Sequence, residues 1–171
     1  QQGQRFHTTI DGDLQRQLQI LTQRTGEQLA LEGVKNLAVL VIDNRTLETL
    51  AYMGNRPGVD TRVNGHAMDL IQRPRSTGST LKPLLFASMI EQGLILPQSL
   101  IADVPVSYTG FTPKNYDRAY RGAVPAHEAL ARSLNIPAVN MLRLYGVEPF
   151  QVFLQQIGMQ HLKRPARDYG L

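Results

Sequence analysis

A serine and a lysine three residues apart, followed directly by a proline, constrain this chain more than any other feature of its sequence. They are Ser79 and Lys82, within the segment Arg75–Pro83. Residues three apart on a helix share a face, so the two side chains lie within reach of each other. Because proline is tolerated in the first turn of a helix, Pro83 predicts that a helix begins close to Ser79. Residues 84–90 are apolar nearly all round, which predicts that this helix is buried.

The spacing of this pair suits nucleophilic catalysis. A hydroxyl is a poor nucleophile at neutral pH and needs an adjacent base that takes its proton. Lys82 can be that base if burial or a neighbouring cation lowers its pKa. A helix that begins near Ser79 also places its positive dipole end beside a developing oxyanion. The pattern alone leaves a plainer alternative open, in which Ser79 is an N-cap and Lys82 is a solvated surface residue.

Ser133 and Asn135 form a second candidate group, at the boundary between two predicted helices and just before Pro137. A serine hydroxyl and an asparagine amide together offer a proton relay and a donor–acceptor pair for a peptide-like substrate. The alternative is that they end one helix and cap the next. Because the chain also holds one S-x-x-K pattern, at Ser79 and Lys82, we favour the catalytic interpretation.

The length and composition of the chain exclude several classes of protein. With 171 residues, 42% of them hydrophobic, the chain is long enough for one domain with a core. It holds no apolar run of about 18 residues, so we expect that no part of it spans a membrane. Cysteine is absent, which excludes disulfides and thiolate zinc sites. The net charge of +4 comes from scattered residues rather than from a basic stripe, so we expect no nucleic-acid binding.

The chain before Ser79 predicts one helix and one hairpin. Asp11 or Asp13 can cap a helix with an apolar stripe. Residues 37–53 hold two β-favouring runs around turn residues and predict a β-hairpin. Residues 54–78 are rich in Gly, Pro, Arg and Asn and predict a loop. The stripe consists of Leu14, Leu18, Leu21, Leu29 and Leu31.

The chain after Ser79 is mostly helical. Gly93 and Pro97 should end the first helix. Residues 97–125 hold many prolines, glycines and aromatic residues, which predicts a long irregular segment of the kind that is usually functional. Three further helices are predicted, at 126–134, 136–145 and 149–157.

Several longer motifs resemble the transpeptidase domain of the class A penicillin-binding proteins, and most of all their 1C branch. Residues 7–15 resemble the entry into that domain, and residues 41–54 resemble its first hairpin. Residues 73–83, R-P-R-S-T-G-S-T-L-K-P, are close to the active-serine motif of the 1C branch. Residues 111–117, F-T-P-K-N-Y-D, and 126–138, with S-L-N-I-P-A, follow two further family patterns. The resemblance covers nearly the whole chain.

The resemblance implies an α+β fold of the penicillin-binding and serine β-lactamase type, with a helical lobe beside an incomplete antiparallel sheet. It implies that Ser79 attacks the carbonyl of a D-Ala-D-Ala stem peptide while Lys82 takes its proton. Ser133 would pass that proton to the leaving amine, and Asn135 would hold the substrate amide. An amine from a neighbouring stem peptide would resolve the acyl-enzyme into a cross-link, whereas penicillins would trap Ser79. No metal or organic cofactor is implied.

One family motif is missing from the sequence. This motif is K-[ST]-G. In the family it lies on a sheet strand that supplies part of the oxyanion hole. We therefore expect residues 1–171 to be the N-terminal portion of a transpeptidase domain, inactive or nearly so alone, because one lost donor costs about 100- to 1,000-fold in rate. Degeneration of the motif in a complete protein is the alternative. We expect an entry segment and helix at 1–36, the hairpin at 37–53 and an active-site lobe at 54–171.

The resemblance also implies the setting and the partners. The parent would be a membrane-anchored, bifunctional transglycosylase and transpeptidase on the periplasmic side of the cytoplasmic membrane in the bacterial cell envelope. Peptidoglycan stem peptides and β-lactams would be its partners, and a second copy could cover an open sheet edge. Two alternatives stay open: a non-catalytic scaffold module of cell-wall synthesis, and a β-lactam sensor or hydrolase.

Overall fold

The chain divides by its internal contacts into two compact units, Gln1–Arg75 and Ser76–Leu171. Among the described residues, the first unit combines one helix and the second unit several helices with a two-stranded antiparallel sheet, which is the α+β content predicted from the sequence. Within the part of the chain described, no helix is long and apolar enough to cross a membrane. The computed structural model describes residues 6–56, 65, 67–108 and 110–169.

Helix α1 (Gly12–Leu31) of the first unit begins at a side-chain cap. The Asp11 carboxylate accepts the backbone N–H groups of Asp13 and Leu14, both at 2.9 Å. These are N–H groups that a helix start leaves without partners inside the helix. Of the two predicted caps, Asp11 is therefore the one that acts.

The predicted apolar stripe of α1 is only partly correct. Leu18 is buried, but Leu21 and Leu31 are 61% and 91% exposed. At 3.6 residues per turn Leu31 falls on the far side of the helix from Leu18. Thr22 and Gly26, which follow Leu18 at intervals of four, complete the buried face instead.

The predicted hairpin at 37–53 is confirmed. Strands β1 (Val39–Ile42) and β2 (Thr49–Met53) pair antiparallel. The Asp43 carboxylate closes the turn by accepting the backbone N–H groups of Arg45 at 2.7 Å and Thr46 at 3.0 Å. The core of this unit consists of Leu18, Ala51 and Met53, with Leu14, Val39 and Val41 packed against them.

The two outer edges of this hairpin differ. On β2, the Thr9 hydroxyl donates to the Thr49 carbonyl at 2.6 Å, and the Gln15 amide bonds both the N–H and the carbonyl of Tyr52. Among the described residues, none makes a backbone hydrogen bond to the outer edge of β1. The outer edge of β1 thus has no backbone partner among the described residues. The expected open sheet edge and its association with a second copy stay predictions.

The second unit opens with the helical turn that carries Ser79 and continues through four helices and one small sheet. A 3-10 turn leads directly into the second helix, and a second 3-10 turn follows the last helix. The elements are Gly78–Leu81 (3-10), α2 (Lys82–Glu91), β3 (Leu100–Asp103), β4 (Gly122–Pro125), α3 (Ala126–Ala131), α4 (Asn135–Tyr145), α5 (Val147–Gln156) and Ala166–Tyr169 (3-10).

Helix α2 is largely buried, as predicted, because only one of residues 84–90, Ala87, is exposed. Leu85 and Met89 are inside the core, whereas Pro83 and Ala87 are exposed. Within this unit α2 packs against α3 and α4, and both lie on the side of Leu85 and Met89.

The prediction that residues 97–125 are irregular is wrong in part, because this segment contains two strands. Strands β3 and β4 pair antiparallel from Leu100↔Pro125 to Asp103↔Gly122. This pairing brings together the two ends of the loop between β3 and β4, and α4 packs against β3.

The core of the second unit lies between α2, α4 and α5. The rings of Tyr145 and Phe150 meet edge to face with their centroids 5.8 Å apart. The Tyr145 hydroxyl accepts a 2.6 Å hydrogen bond from the Gln92 amide and so is not left unsatisfied. The cluster consists of Leu85, Met89, Ile95, Ala126, Met141, Tyr145, Phe150 and Leu154.

Candidate active site

Ser79 lies in the 3-10 turn that begins at Gly78, immediately before α2. Its carbonyl accepts the backbone N–H of Lys82, which joins the turn to the helix. Pro83 occupies the first turn of α2, where its missing N–H leaves no hydrogen bond unmade. The helix start predicted near Ser79 is therefore confirmed, and the Ser79 side chain is exposed to solvent at this end.

Ser133 ends α3 in the left-handed backbone conformation. Its φ is 53°, and its N–H and that of Leu134 donate to the carbonyls of Leu130 and Ala129, both at 2.9 Å. This is a Schellman motif, in which glycine usually occupies the left-handed position. The predicted helix 126–134 ends early at Ala131 because this motif reverses the chain. A non-glycine residue there indicates a side chain with a purpose beyond ending a helix.

The ammonium group of Lys82 connects the two candidate groups. Its Nζ donates to the Ser133 carbonyl at 2.7 Å, to the Ser133 hydroxyl at 3.2 Å and to Oδ1 of Asn135 at 2.7 Å. Three acceptors match the three donors of an ammonium group. Three residues that are far apart in sequence thus share one hydrogen-bonding nitrogen. They are Lys82 on α2, Ser133 just after α3, and Asn135 at the start of α4.

Burial lowers the pKa of the Lys82 ammonium below its ordinary value. Desolvation disfavours the charged form of a lysine, so the neutral amine is reached at a lower pH than on an open surface. A partly buried lysine with hydroxyl and amide partners has the properties that a general base requires.

Asn135 begins α4, and both ends of its side-chain amide are bonded. Oδ1 accepts from Lys82, and Nδ2 donates to the carbonyl of Lys114 at 2.9 Å. Its backbone N–H donates to Oδ1 of Asn115 at 2.9 Å. The orientation of the Asn135 amide is therefore fixed, with its oxygen toward the lysine.

Asn115 was not singled out as a site residue by sequence reasoning. It is 2% exposed and accepts the N–H groups of Asn135 and Ile136. Its own amide donates to the carboxylate of Asp103 at 2.7 Å. In sequence it appears only as one polar residue inside F-T-P-K-N-Y-D, because its partners lie elsewhere in the chain.

The structure brings three of the four predicted site residues into direct contact. Lys82, Ser133 and Asn135 are hydrogen-bonded, while Ser79 lies one turn before Lys82 and its hydroxyl makes no hydrogen bond to any described residue. The described residues contain no cluster of three or more potential metal-ligating side chains. The arrangement suits acyl transfer: an exposed hydroxyl, a base with a lowered pKa, a second hydroxyl and an oriented amide.

Comparison with known proteins identifies the family of this chain. Residues 37–170 match the model of the penicillin binding protein transpeptidase domain. The chain belongs to this family, and the resemblance inferred from the sequence motifs is confirmed. The α+β transpeptidase fold is confirmed with it.

Individual relatives point to the same family. The chain is 36% identical over 152 residues to penicillin-binding protein 1C of Escherichia coli (strain K12), which covers 89% of this chain and 19% of the relative. It is 25% identical to the PonA1 protein from Mycobacterium tuberculosis in complex with penicillin V, with a TM-score of 0.62 over 93% of this chain and 40% of that chain. A peptidoglycan glycosyltransferase from Burkholderia ambifaria, 19% identical, shares the fold with a TM-score of 0.74 over 94% of this chain and 51% of that chain. The chain thus spans about a fifth of the length of the Escherichia coli relative.

Proposed function

We propose that this chain is the N-terminal portion of the transpeptidase domain of a serine D,D-transpeptidase that cross-links peptidoglycan stem peptides. The observation that carries the proposal is the convergence of Lys82 Nζ on Ser133 and Asn135, one helical turn after the exposed Ser79. Membership of the family supports it, as does the similarity to a relative solved with penicillin V. The site of action is the bacterial cell envelope, on the periplasmic side of the cytoplasmic membrane, with any membrane anchor outside residues 1–171.

In the first step Ser79 becomes acylated. Its Oγ forms a bond to the carbonyl carbon of the penultimate D-alanine while its proton passes to the neutral amine of Lys82. The C–N bond to the terminal D-alanine breaks. The leaving nitrogen takes a proton from the Ser133 hydroxyl, which Lys82 replaces across the 3.2 Å contact. The products are an ester on Ser79 and free D-alanine.

In the second step the amine of a neighbouring stem peptide attacks the ester. The amine nitrogen forms an amide bond to the ester carbonyl carbon and loses a proton to Lys82. The C–O bond to Ser79 breaks, and Lys82 returns the proton to Ser79 Oγ. Asn135 holds the substrate during both steps. One hydrogen of its Nδ2 is used by the Lys114 carbonyl, and the second can donate to an amide carbonyl of the substrate. The scheme uses neither a metal nor an organic cofactor.

A β-lactam would follow the first step only. Its ring amide opens as Ser79 attacks, and the leaving nitrogen stays attached to the acyl group. The ester then persists if water and amines do not resolve it. The lifetime of this adduct separates a transpeptidase from a β-lactam hydrolase.

The test measures D-alanine release from a pentapeptide substrate by the full-length protein that contains this chain. Wild type and Ser76→Ala should release D-alanine, and Ser79→Ala should not. Ser76 is the matched control, because it is an exposed serine in the same segment. No release by wild type, together with no penicillin adduct, would indicate a scaffold module; rapid turnover of the adduct would indicate a hydrolase.

The isolated 171-residue chain should be a poor enzyme. Its sequence holds no K-[ST]-G motif, so one expected oxyanion donor is not supplied. We expect acylation of the isolated chain to be about 100- to 1,000-fold slower than that of the full-length protein. Acylation at the same rate would overturn this expectation.

A further inference from the structure

The loop before β4 holds the start of α4 from two sides. Oδ1 of Asn115 accepts the backbone N–H groups of Asn135 at 2.9 Å and Ile136 at 3.2 Å, the first two of the helix. The neighbouring carbonyl of Lys114 accepts Nδ2 of Asn135 at 2.9 Å. Two consecutive loop residues therefore fix both the backbone and the side-chain amide of Asn135.

Helix α4 has no side-chain cap from its own sequence. The residue at its N-cap position is Leu134, which cannot accept a hydrogen bond through its side chain. The N–H groups at a helix start still need acceptors when they are buried. Asn115, which is 20 residues away in sequence and 2% exposed, supplies the acceptor.

A buried carboxylate sets the orientation of the Asn115 amide. Asp103 is fully buried, and its Oδ1 accepts from Nδ2 of Asn115 at 2.7 Å. The second hydrogen of that Nδ2 goes to the Ala119 carbonyl at 2.9 Å. Because the Ala119 carbonyl can only accept and the N–H groups of Asn135 and Ile136 can only donate, the amide nitrogen faces Asp103 and the amide oxygen faces α4. The backbone N–H of Arg121 bonds the other carboxylate oxygen at 3.2 Å.

We propose that Asn115 is a positioning residue for the proposed acyl transfer, and that Asp103 orients it. Asn115 acts through Asn135, whose oxygen is the 2.7 Å partner of Lys82 Nζ. A shift at the start of α4 would displace the partner of the base and the amide donor for the substrate at once. This role rests on the proposed function, because it has meaning only if Lys82 and Asn135 serve a reaction.

The first comparison is between Asn115→Ala and Asn140→Ala in the full-length protein. Asn140 lies on the same helix, donates to the Ala102 carbonyl at 2.9 Å and accepts from the Tyr108 hydroxyl at 3.1 Å. Each substitution removes an asparagine that ties α4 to the rest of this unit, but only the first touches Asn135. The measurement is the acylation rate constant at saturating fluorescent penicillin, per folded molecule. We expect a loss of about 100-fold for Asn115→Ala and a change within about twofold for Asn140→Ala.

An exchange of the two polar partners provides the rescue. Asn115→Asp alone brings a second carboxylate against Asp103, so acylation should fall. Asp103→Asn combined with Asn115→Asp restores a donor between them and keeps an oxygen facing α4. The double variant should acylate about tenfold faster than Asn115→Asp alone. Equal rates for the two would contradict the orienting role of Asp103.

Hydrogen exchange separates positioning from capping. Asn115→Ala should speed exchange of the backbone amides of Asn135 and Ile136, and Asn140→Ala should leave them unchanged. Faster exchange in Asn115→Ala without a greater loss of acylation than in Asn140→Ala would overturn the positioning role, while the proposed function would stand. Failure of the wild-type protein to be acylated at all would instead overturn the proposed function, and this role with it.

Discussion

Lys82 Nζ lies 2.7 Å from the backbone carbonyl of Ser133, a residue 51 positions further along the chain. Ser133 holds the left-handed conformation that ends α3, and the same turn leads the chain into α4 at Asn135. The turn between α3 and α4 therefore supplies the hydrogen-bond partners of the Lys82 side chain. A non-glycine residue in the left-handed conformation is destabilised by about 1 kcal/mol. Serine at this position therefore supplies a hydroxyl group at a cost in backbone stability that glycine would avoid.

Ser133→Gly should separate stability from activity. Glycine adopts this φ without strain, so the free energy of unfolding should stay equal or rise by at most about 1 kcal/mol. Loss of the hydroxyl should slow acylation by about 100-fold or more. Pulse proteolysis in urea and fluorescent-penicillin labelling of the full-length protein measure the two quantities. Ser133→Ala is the control that loses the hydroxyl and keeps the strain; full activity in both variants would remove Ser133 from the reaction.

The pH dependence of acylation should report Lys82. Burial lowers its pKa, so the fraction of neutral amine, and with it the rate, should rise with pH and level off below the ordinary lysine range. The unfolded chain binds more protons at Lys82 between the folded and unfolded pKa values, so folded stability rises with pH in that window. Lys82→Arg keeps the charge but cannot supply a neutral base. Its rate should lack this rise, and an unchanged pH profile would contradict the assignment of the base.

Met89 should be a determinant of stability in the second unit. Its side chain is fully buried in the core cluster on α2, so Met89→Ala should lower the free energy of unfolding by about 2–5 kcal/mol. Leu96→Ala is the control, because Leu96 is 67% exposed and should change stability by no more than about 0.5 kcal/mol. Pulse proteolysis in urea measures both. Similar losses for the two variants would mean that the core is not where the structure has it.

Local signals in the sequence predicted the local parts of the fold. The Asp11 cap, the hairpin around Asp43 and the helix start before Pro83 each depend on a few neighbouring residues. Pairing over a distance was missed. Strand β4 contains glycine and proline, which strands disfavour, and only its pairing with β3 across the long loop makes it a strand.

In the candidate site, too, the residues marked by local sequence signals were predicted, and the residue that depends on distant contacts was not. Ser79 and Lys82 are recognisable because their spacing is local, and Ser133 with Asn135 because they separate two helices. Asn115 was missed because an asparagine in a proline-rich loop is typical of an ordinary turn. Its importance depends on bonds to Asn135, 20 residues away, which no sequence pattern states.

The position of the penicillin adduct on the full-length protein that contains this chain tests whether Ser79 is the nucleophile. The protein is incubated with a penicillin, digested, and its peptides are analysed by mass spectrometry alongside the Ser79→Ala variant. We expect one drug per molecule, attached at Ser79, and no adduct in the variant. An adduct on another residue, an adduct retained by Ser79→Ala, or no adduct on the wild-type protein would be inconsistent with Ser79 as the nucleophile.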